Sequence, residues 1–329
     1  MLPLILLVVA RGVCGTDTAN YMDIISKINL TGNFKDIELG FLYIVKFLLF
    51  VLNDPLLICI LIAIITTVVL LVASTYDDRA LFVFIVCIVP FFYLDMTMNG
   101  LRYGLAFAFA MYSLSKFYQN NLLISVVLAI VSVLCHVSGL IVFLILTLLS
   151  DNKFELVKWI KLTSICSLVV LAQINMSNPT YDISSKYNLY QNYYSPSWYS
   201  SLVPLVISCL LLYVFYGSKK NNNEQSLILR KYQVILLISF TLLTFVVAKI
   251  SYAGLRLQMI VLFTIFLMMQ FRPSFSGFLD KDMKKRLFVI GCIGLTVFIK
   301  NIFVTQGQGL SPFAPYLINP YFMQLWTLT

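Results

Sequence analysis

The chain has 329 residues, 60% of them hydrophobic and only 11% charged, and its mean hydropathy is +0.91. A soluble domain carries about 25% charged residues, and the apolar runs here recur along the whole length, so both a soluble fold and a single anchor on a soluble body are excluded. The formal net charge of +9 falls in basic clusters between apolar runs, as in cytoplasmic loops of membrane proteins, and argues against a nucleic-acid partner.

A membrane-spanning helix needs about 20 apolar residues. The first run, Leu2 to Ala10, reaches roughly half the bilayer core at about 1.5 Å per residue. We expect it to continue into Arg11–Gly15 as a first span, or to reflect a start that lies upstream. Thr16 to Leu39 reads as polar and irregular. Phe41 to Leu52 is apolar but short and contains Lys46; it reads as a helix lying along the outer surface. Spans follow at Leu56–Ala73, Ala80–Leu94 and Leu101–Phe117. The next run, Leu122 to Leu149, is long for one crossing and short for two. We read it as two short helices broken at His136. A charged loop (Asp151 to Lys161) precedes a span at Leu162–Ile174, and a tyrosine-rich polar stretch covers Asn175 to Ser200. Further spans are expected at Leu202–Tyr216, Tyr232–Ala248, Leu255–Phe271 and Leu287–Val304, before an uncharged tail. The expectation is an all-α polytopic helical bundle of about 10–11 membrane segments, residues 1–329 forming one membrane domain.

Lysine and arginine set the orientation. Lys219, Lys220, Arg230 and Lys231 mark one inner loop; Arg272, Lys281, Lys284, Lys285 and Arg286 mark another. Counting from these places Arg102, His136, Asn175–Ser200, Arg256 and the tail on the outer face.

The cysteines (Cys14, Cys59, Cys87, Cys135, Cys166, Cys209, Cys292) share no C-x-x-C spacing and mostly lie in apolar runs. They read as small apolar fillers rather than a disulfide frame or zinc site. With a single histidine no His-rich metal site is available, and neither metal nor cofactor is expected.

A few polar residues in apolar surroundings carry the chemistry. Arg102, in Asp95-Met-Thr-Met-Asn-Gly-Leu-Arg102, opens a span. It is either a snorkelling end or a bidentate phosphate clamp. His136, in Cys135-His136-Val-Ser138-Gly139, is either a buried imidazole bonded to a neighbouring helix or a general base or anion donor. Asp17 either caps the following helix or acts as a base. Arg256 enters a later span from the outer face, as a second phosphate ligand or another snorkelling end. Asp77-Asp78-Arg79 has the look of an acidic metal pair but is read as a solvated turn.

Taken in order, three groups of residues resemble the EpsG family of Wzy-like bacterial polysaccharide polymerases. The first is Arg11-x-x-x-Gly15-x-Asp17-x-x-x-Tyr21 with Glu38-x-Gly40-Phe41. The second is Met98-x-Gly100-x-Arg102-x-Gly-x-Ala106 with Cys135-His136-x-Ser138. The third is Gly254-x-Arg256. The chain departs from the family in its short first span, and in Glu38-Leu-Gly-Phe41 where Glu-Pro-Gly-Phe is usual.

The resemblance implies a GT-C-like glycosyltransferase of the bacterial cytoplasmic (inner) membrane, with a short interfacial helix in its first outer loop. Its substrates would be undecaprenyl-pyrophosphate-linked oligosaccharides, joined for O-antigen, capsule or exopolysaccharide. Membrane lipid, a chain-length regulator and a flippase would be its partners. His136, Arg102 and Asp17 would be catalytic; Arg11, Tyr21, Glu38 and Arg256 would bind pyrophosphate or sugar. The aromatic residues Tyr181, Tyr187, Tyr190, Tyr193, Tyr194, Trp198 and Tyr199 would stack on sugars or form an interfacial belt. Two other classes stay open at this point: a flippase for the same lipid-linked units, and a membrane O-acetyltransferase.

Overall fold

The computed structural model describes residues 2–14, 17–32, 37–176, 201–217, 224–272, 281–303 and 318. Among these residues the protein is all-α, and the sole strand-like pairing is an antiparallel bridge between Arg11 and Ile318. The tyrosine-rich stretch from Tyr181 to Tyr199, Lys219, Lys220 and the tail other than Ile318 lie outside the described residues. Three helical stretches are long and apolar enough to cross a membrane: Pro55–Ser74, Lys231–Lys249 and Gly254–Phe271. Shorter apolar helices accompany them. The chain is an all-α membrane protein.

By internal packing the chain gathers into two compact units. The first comprises Met1–Tyr76, Ile88–Gly139 and Cys292–Thr329; the second comprises Asp77–Cys87 and Leu140–Gly291.

The first unit begins with α1 (Leu2–Val9). The helix does not run on to Gly15. Arg11 leaves it to pair with Ile318 through its backbone, and its Nη1 donates to the Met98 carbonyl at 2.7 Å. The segment expected to be irregular contains a regular helix, α2 (Thr18–Thr31). Its buried residues, Thr18, Tyr21, Ile24, Ile25 and Ile28, form one stripe of 3–4 spacing. The stripe is short and flanked by polar residues, so the polar average hid it. Gly32 ends α2 in the left-handed conformation (φ 69°), its N–H returning to Ile28 O. Asp17 precedes α2, but its side chain does not cap it.

Helix α3 (Leu39–Val51) has 13 residues, about 20 Å of rise, too short to cross. Phe41, Leu42, Val45 and Leu48 are buried, whereas Tyr43, Phe47 and Phe50 are exposed on the other side with Lys46. That two-faced pattern suits a helix lying in the interface. Helix α4 (Pro55–Ser74) starts sharply. Pro55 occupies its first turn, and Asp54 Oδ1 accepts from Leu56 N and Leu57 N at 2.7 and 3.0 Å.

The expected span Ala80–Leu94 is not one regular helix. A short α5 (Asp78–Val83) leads into π-helical turns at Phe84–Tyr93 and Asp95–Asn99. Pro90 lies inside the first of these and supplies no N–H to a ladder. The second closes with Gly100 N bonded to Asp95 O at 2.7 Å.

Helices α6 (Leu101–Tyr118) and α7 (Leu122–Cys135) form an antiparallel pair. The turn between them places Asn120 at φ 61°, a left-handed position that asparagine tolerates. Small residues let the two backbones approach. Ser113 Oγ donates to Ser125 O at 2.8 Å, and Ser132 Oγ donates to Ala106 O at 2.7 Å. Both bonds share one register. Continuing it by about one further turn brings Arg102 level with His136.

As the sequence suggests, the long run breaks at His136. Its backbone is extended (φ −164°, ψ 136°), and α8 (Ser138–Leu148) starts two residues later.

In the second unit, α9 (Lys153–Met176) begins earlier than expected and absorbs most of the charged loop. Asn152 Oδ1 accepts from Glu155 N at 2.8 Å, and Trp159 packs fully buried against Phe143. Helices α10 (Leu202–Gly217), α11 (Glu224–Ile250) and α12 (Tyr252–Phe271) pack on one another. Arg272, expected in a basic inner loop, is wholly buried. It donates to Leu146 O, Leu149 O and Asp151 Oδ1, while Gln233 Nε2 also reaches Leu149 O and Asp151 Oδ1. These bonds satisfy carbonyls at the end of α8 that the helix itself leaves open. Arg79 Nη1 donates to Arg272 O at 2.7 Å and Asp77 caps α5 through Ala80 N; this turn is a structural joint rather than a merely solvated one. Helix α13 (Lys281–Phe303) follows.

Candidate functional site

Within the first unit, the break between α7 and α8, the start of α6 and the start of α3 come together around Glu38. Glu38 Oε2 accepts from Arg102 Nη1 at 2.9 Å, and Glu38 Oε1 lies 3.8 Å from His136 Nε2. The side chains are partly open, 24% for Arg102, 15% for Glu38 and 25% for His136. Each side chain thus keeps some accessible surface in a mostly buried setting, where charge acts more strongly than in open water.

Close packing of α3 on α7 makes this meeting possible. A Cβ on Gly40 would lie 2.7 Å from the Leu134 backbone carbon. Glycine is thus the residue that lets the chain after Glu38 pass over the end of α7. At the start of α6, a Cβ on Gly104 would overlap the Met96 carbonyl oxygen. The π turn and the first turn of α6, which carries Arg102, therefore lie tightly against each other.

Tyr21 of α2 completes the cluster from another side. It is buried and packs against Phe41, ring centres 5.9 Å apart. Burial raises its phenol above the usual tyrosine value against the opposing pull of Arg102, so Tyr21 is neutral at physiological pH. Glu38 lies in the connection between α2 and α3. Burial pushes its carboxyl up, but the Arg102 guanidinium and then His136 outweigh that, and the carboxyl sits below its ordinary value. Glu38 is therefore an anion in the resting site.

The earlier motif residues form the floor of this site. Arg11 is fully buried and holds the Met98 carbonyl. Thr18 Oγ1 donates to Cys14 O at 2.5 Å and reaches Met98 O at 3.2 Å. Asp17 N donates to Asn99 Oδ1 at 3.1 Å, and Asn99 Nδ2 donates to Asp95 Oδ1 at 3.2 Å. Tyr103 OH donates to Asp95 Oδ2. The two sequence groups around Arg11–Tyr21 and Met98–Arg102 thus interlock through side chain–backbone bonds.

Six of the seven residues singled out from sequence lie in this unit. Arg102, Glu38, His136 and Tyr21 form the cluster; Arg11 and Asp17 join the turn that supports Arg102. Arg256 belongs to the second unit, exposed on α12. The resemblance gives Glu38 as a pyrophosphate or sugar ligand; in the structure it is also the residue that bridges Arg102 and His136. Asp95, Asn99 and Tyr103 carry no role in the sequence alone, although all three lie within seven residues of Arg102. Among the described residues no group of His, Cys, Asp and Glu is arranged to hold a metal ion.

A model of the EpsG family matches residues 1–318. No curated protein and no solved structure matches the chain.

Proposed function

The chain belongs to the EpsG family, a Wzy-like polymerase family, and on that footing we propose that it is a polysaccharide polymerase joining undecaprenyl-pyrophosphate-linked oligosaccharide repeat units. The reaction takes place on the outer face of the bacterial cytoplasmic membrane, and the product is O-antigen, capsule or exopolysaccharide. The observation that carries the reading is the cluster of Arg102, Glu38 and His136 in a partly open site, on a chain matched to the family over nearly its full length.

An acceptor hydroxyl oxygen forms a bond to the anomeric carbon of the donor unit. The bond from that carbon to the lipid pyrophosphate breaks, and its electron pair leaves with the pyrophosphate. The chemistry asks for a fixed cation beside the leaving group and a group near the hydroxyl, with no nucleotide or metal required. Arg102 is the cation: a planar fork that can bind two phosphate oxygens at once. In the resting site Glu38 holds that fork in place. Arg11 fixes the Met98 turn on which Arg102 stands, and Asp17 fixes Asn99 beside it. Tyr21 packs beside Arg102 as a neutral phenol. The exposed aromatic side of α3 rests at the lipid interface, where the polyprenyl tail of the substrate travels.

Reconstitution tests the reading. The purified protein is placed in liposomes with the lipid-linked repeat unit, and products are resolved on a gel with lipid phosphates assayed in parallel. A polymerase yields a ladder and one released lipid pyrophosphate per bond. Transbilayer movement of intact units without new glycosidic bonds identifies a flippase. Units that gain acetyl mass from acetyl-CoA identify an O-acetyltransferase. Either of the last two outcomes overturns the proposal.

A further inference from the structure

The polymerase reading leaves His136 with two possible tasks: taking the proton of the acceptor hydroxyl, or donating a hydrogen bond to an anion. The ring's own hydrogen bonds separate them. His136 Nδ1 receives the backbone N–H of Ser138 at 3.1 Å and lies 2.7 Å from Ser138 Oγ. A backbone N–H can only donate, so Nδ1 must present its lone pair there. A ring nitrogen that carries a proton has no lone pair to offer. In the neutral imidazole the proton is then on Nε2. Nε2 is the atom that faces the Glu38 carboxylate at 3.8 Å, which is an acceptor. Both sides of the ring agree.

From this we infer that Ser138 is a positioning residue that holds His136 as the Nε2–H tautomer, so that His136 acts on the substrate as a neutral hydrogen-bond donor and not as the proton acceptor. Ser138 can do this because it opens α8. The first N–H groups of a helix have no partner inside it, and the extended backbone of His136 turns the ring back over that helix start. The break in the long apolar run thus creates both the partly open histidine and the donor that fixes its proton.

The consequence for the reaction, which rests on the polymerase reading, is a division of labour. As the acceptor oxygen bonds to the anomeric carbon, its proton passes to the Glu38 carboxylate. Nε2–H of His136 and the guanidinium of Arg102 bond to the pyrophosphate oxygens as the electron pair moves onto them. His136 keeps its proton throughout.

His136 is the only histidine in the chain, which makes the test direct. Full-length protein is labelled with ¹⁵N-histidine, purified through a tag without histidine and placed in lipid nanodiscs. The two ring nitrogens are then read by NMR near neutral pH without substrate. The expected spectrum has one proton, on Nε2, and a bare Nδ1. Ser138→Pro removes the N–H at a helix position that accepts proline and should raise the Nδ1–H population. If that variant does not fold, the wild-type spectrum alone decides. A dominant Nδ1–H tautomer or an imidazolium in wild type overturns the inference.

An activity arm accompanies this. The amide nitrogen of glutamine can stand near the Nε2 position and donate, but it cannot accept a proton. His136→Gln should therefore stay within about tenfold of wild type in chain elongation, a barrier change of about 1.4 kcal/mol. His136→Ala and His136→Asn should lose about 10²–10⁴-fold, as for a removed catalytic group. Equal loss in all three variants overturns the donor role and leaves the polymerase reading standing. Unimpaired elongation in all three overturns any part for His136 in the reaction, whatever the tautomer. Absence of elongation by wild type is the separate failure of the polymerase reading, and the spectrum is independent of it.

Discussion

Glu38→Gln is the most informative single substitution, because it keeps the shape of the side chain and removes only its charge. In the resting site one Glu38 oxygen takes Arg102 Nη1 at 2.9 Å, and the other faces His136 Nε2 at 3.8 Å. At the 2.9 Å between Arg102 and Glu38, two unit charges attract by about 6 kcal/mol in a medium of effective dielectric 20. Desolvation of both groups cancels much of this. The net value of such a charge-assisted bond is about 1.5–3 kcal/mol, and the partial exposure of both side chains places it toward the lower end. The variant should therefore melt a few degrees lower, with protein still present in membranes. Its effect on chain elongation should be larger, about 10²–10⁴-fold, since a carboxamide cannot take the hydroxyl proton.

The pH dependence follows from the lowered Glu38 carboxyl. An acid whose native pKa lies below its unfolded value contributes stability that is fully present above the unfolded value. That contribution is lost as pH falls through the native one. The stability gap between wild type and Glu38→Gln should thus be constant above about pH 4.5 and close below it. Thermal unfolding in detergent across pH, with elongation assayed at matched protein, measures both effects. A Glu38→Gln protein with wild-type melting and a full ladder would refute the assignment.

Three further substitutions or labels probe the rest of the account. Arg102→Lys should abolish elongation at normal abundance, because lysine keeps the charge but loses the two-point fork; a full-length ladder would make Arg102 a snorkelling anchor. Gly104→Ala should destabilise by about 1–3 kcal/mol, since the added methyl meets the Met96 carbonyl on a packed backbone; wild-type melting would show that the π turn is not held against α6. In a background freed of native cysteines, cysteine at position 220 should be labelled only from inside and at position 190 from outside. The opposite pattern would invert the orientation.

The broad architecture was legible because hydropathy acts over long windows. The spans that became α4, α11 and α12 read directly from runs of apolar residues. The break at His136 was equally visible, since one imidazole interrupts a run too long for a single crossing. What the sequence hid were elements whose signal is local and mixed. Helix α2 buries a narrow stripe led by Tyr21 and Ile25 among polar neighbours, so its average looks like loop. The π turns at Phe84–Asn99 carry no periodic signature, and Pro90 was the single hint of an interrupted ladder. Arg272 counted as a loop charge because sequence does not show that its guanidinium caps the end of α8. Glu38 was legible as part of a motif but not as the bridge between Arg102 and His136. That role depends on α3 crossing the end of α7 at Gly40, a tertiary contact between segments far apart in the chain.

The central claim is that this chain builds glycosidic bonds between finished repeat units. Deletion of the gene in its native host, followed by a surface-polysaccharide gel, tests it most directly. The account predicts loss of the ladder with single repeat units still present, and restoration by the wild-type gene but not by Arg102→Lys. Loss of the single units together with the ladder, or a ladder of unchanged length, would contradict it.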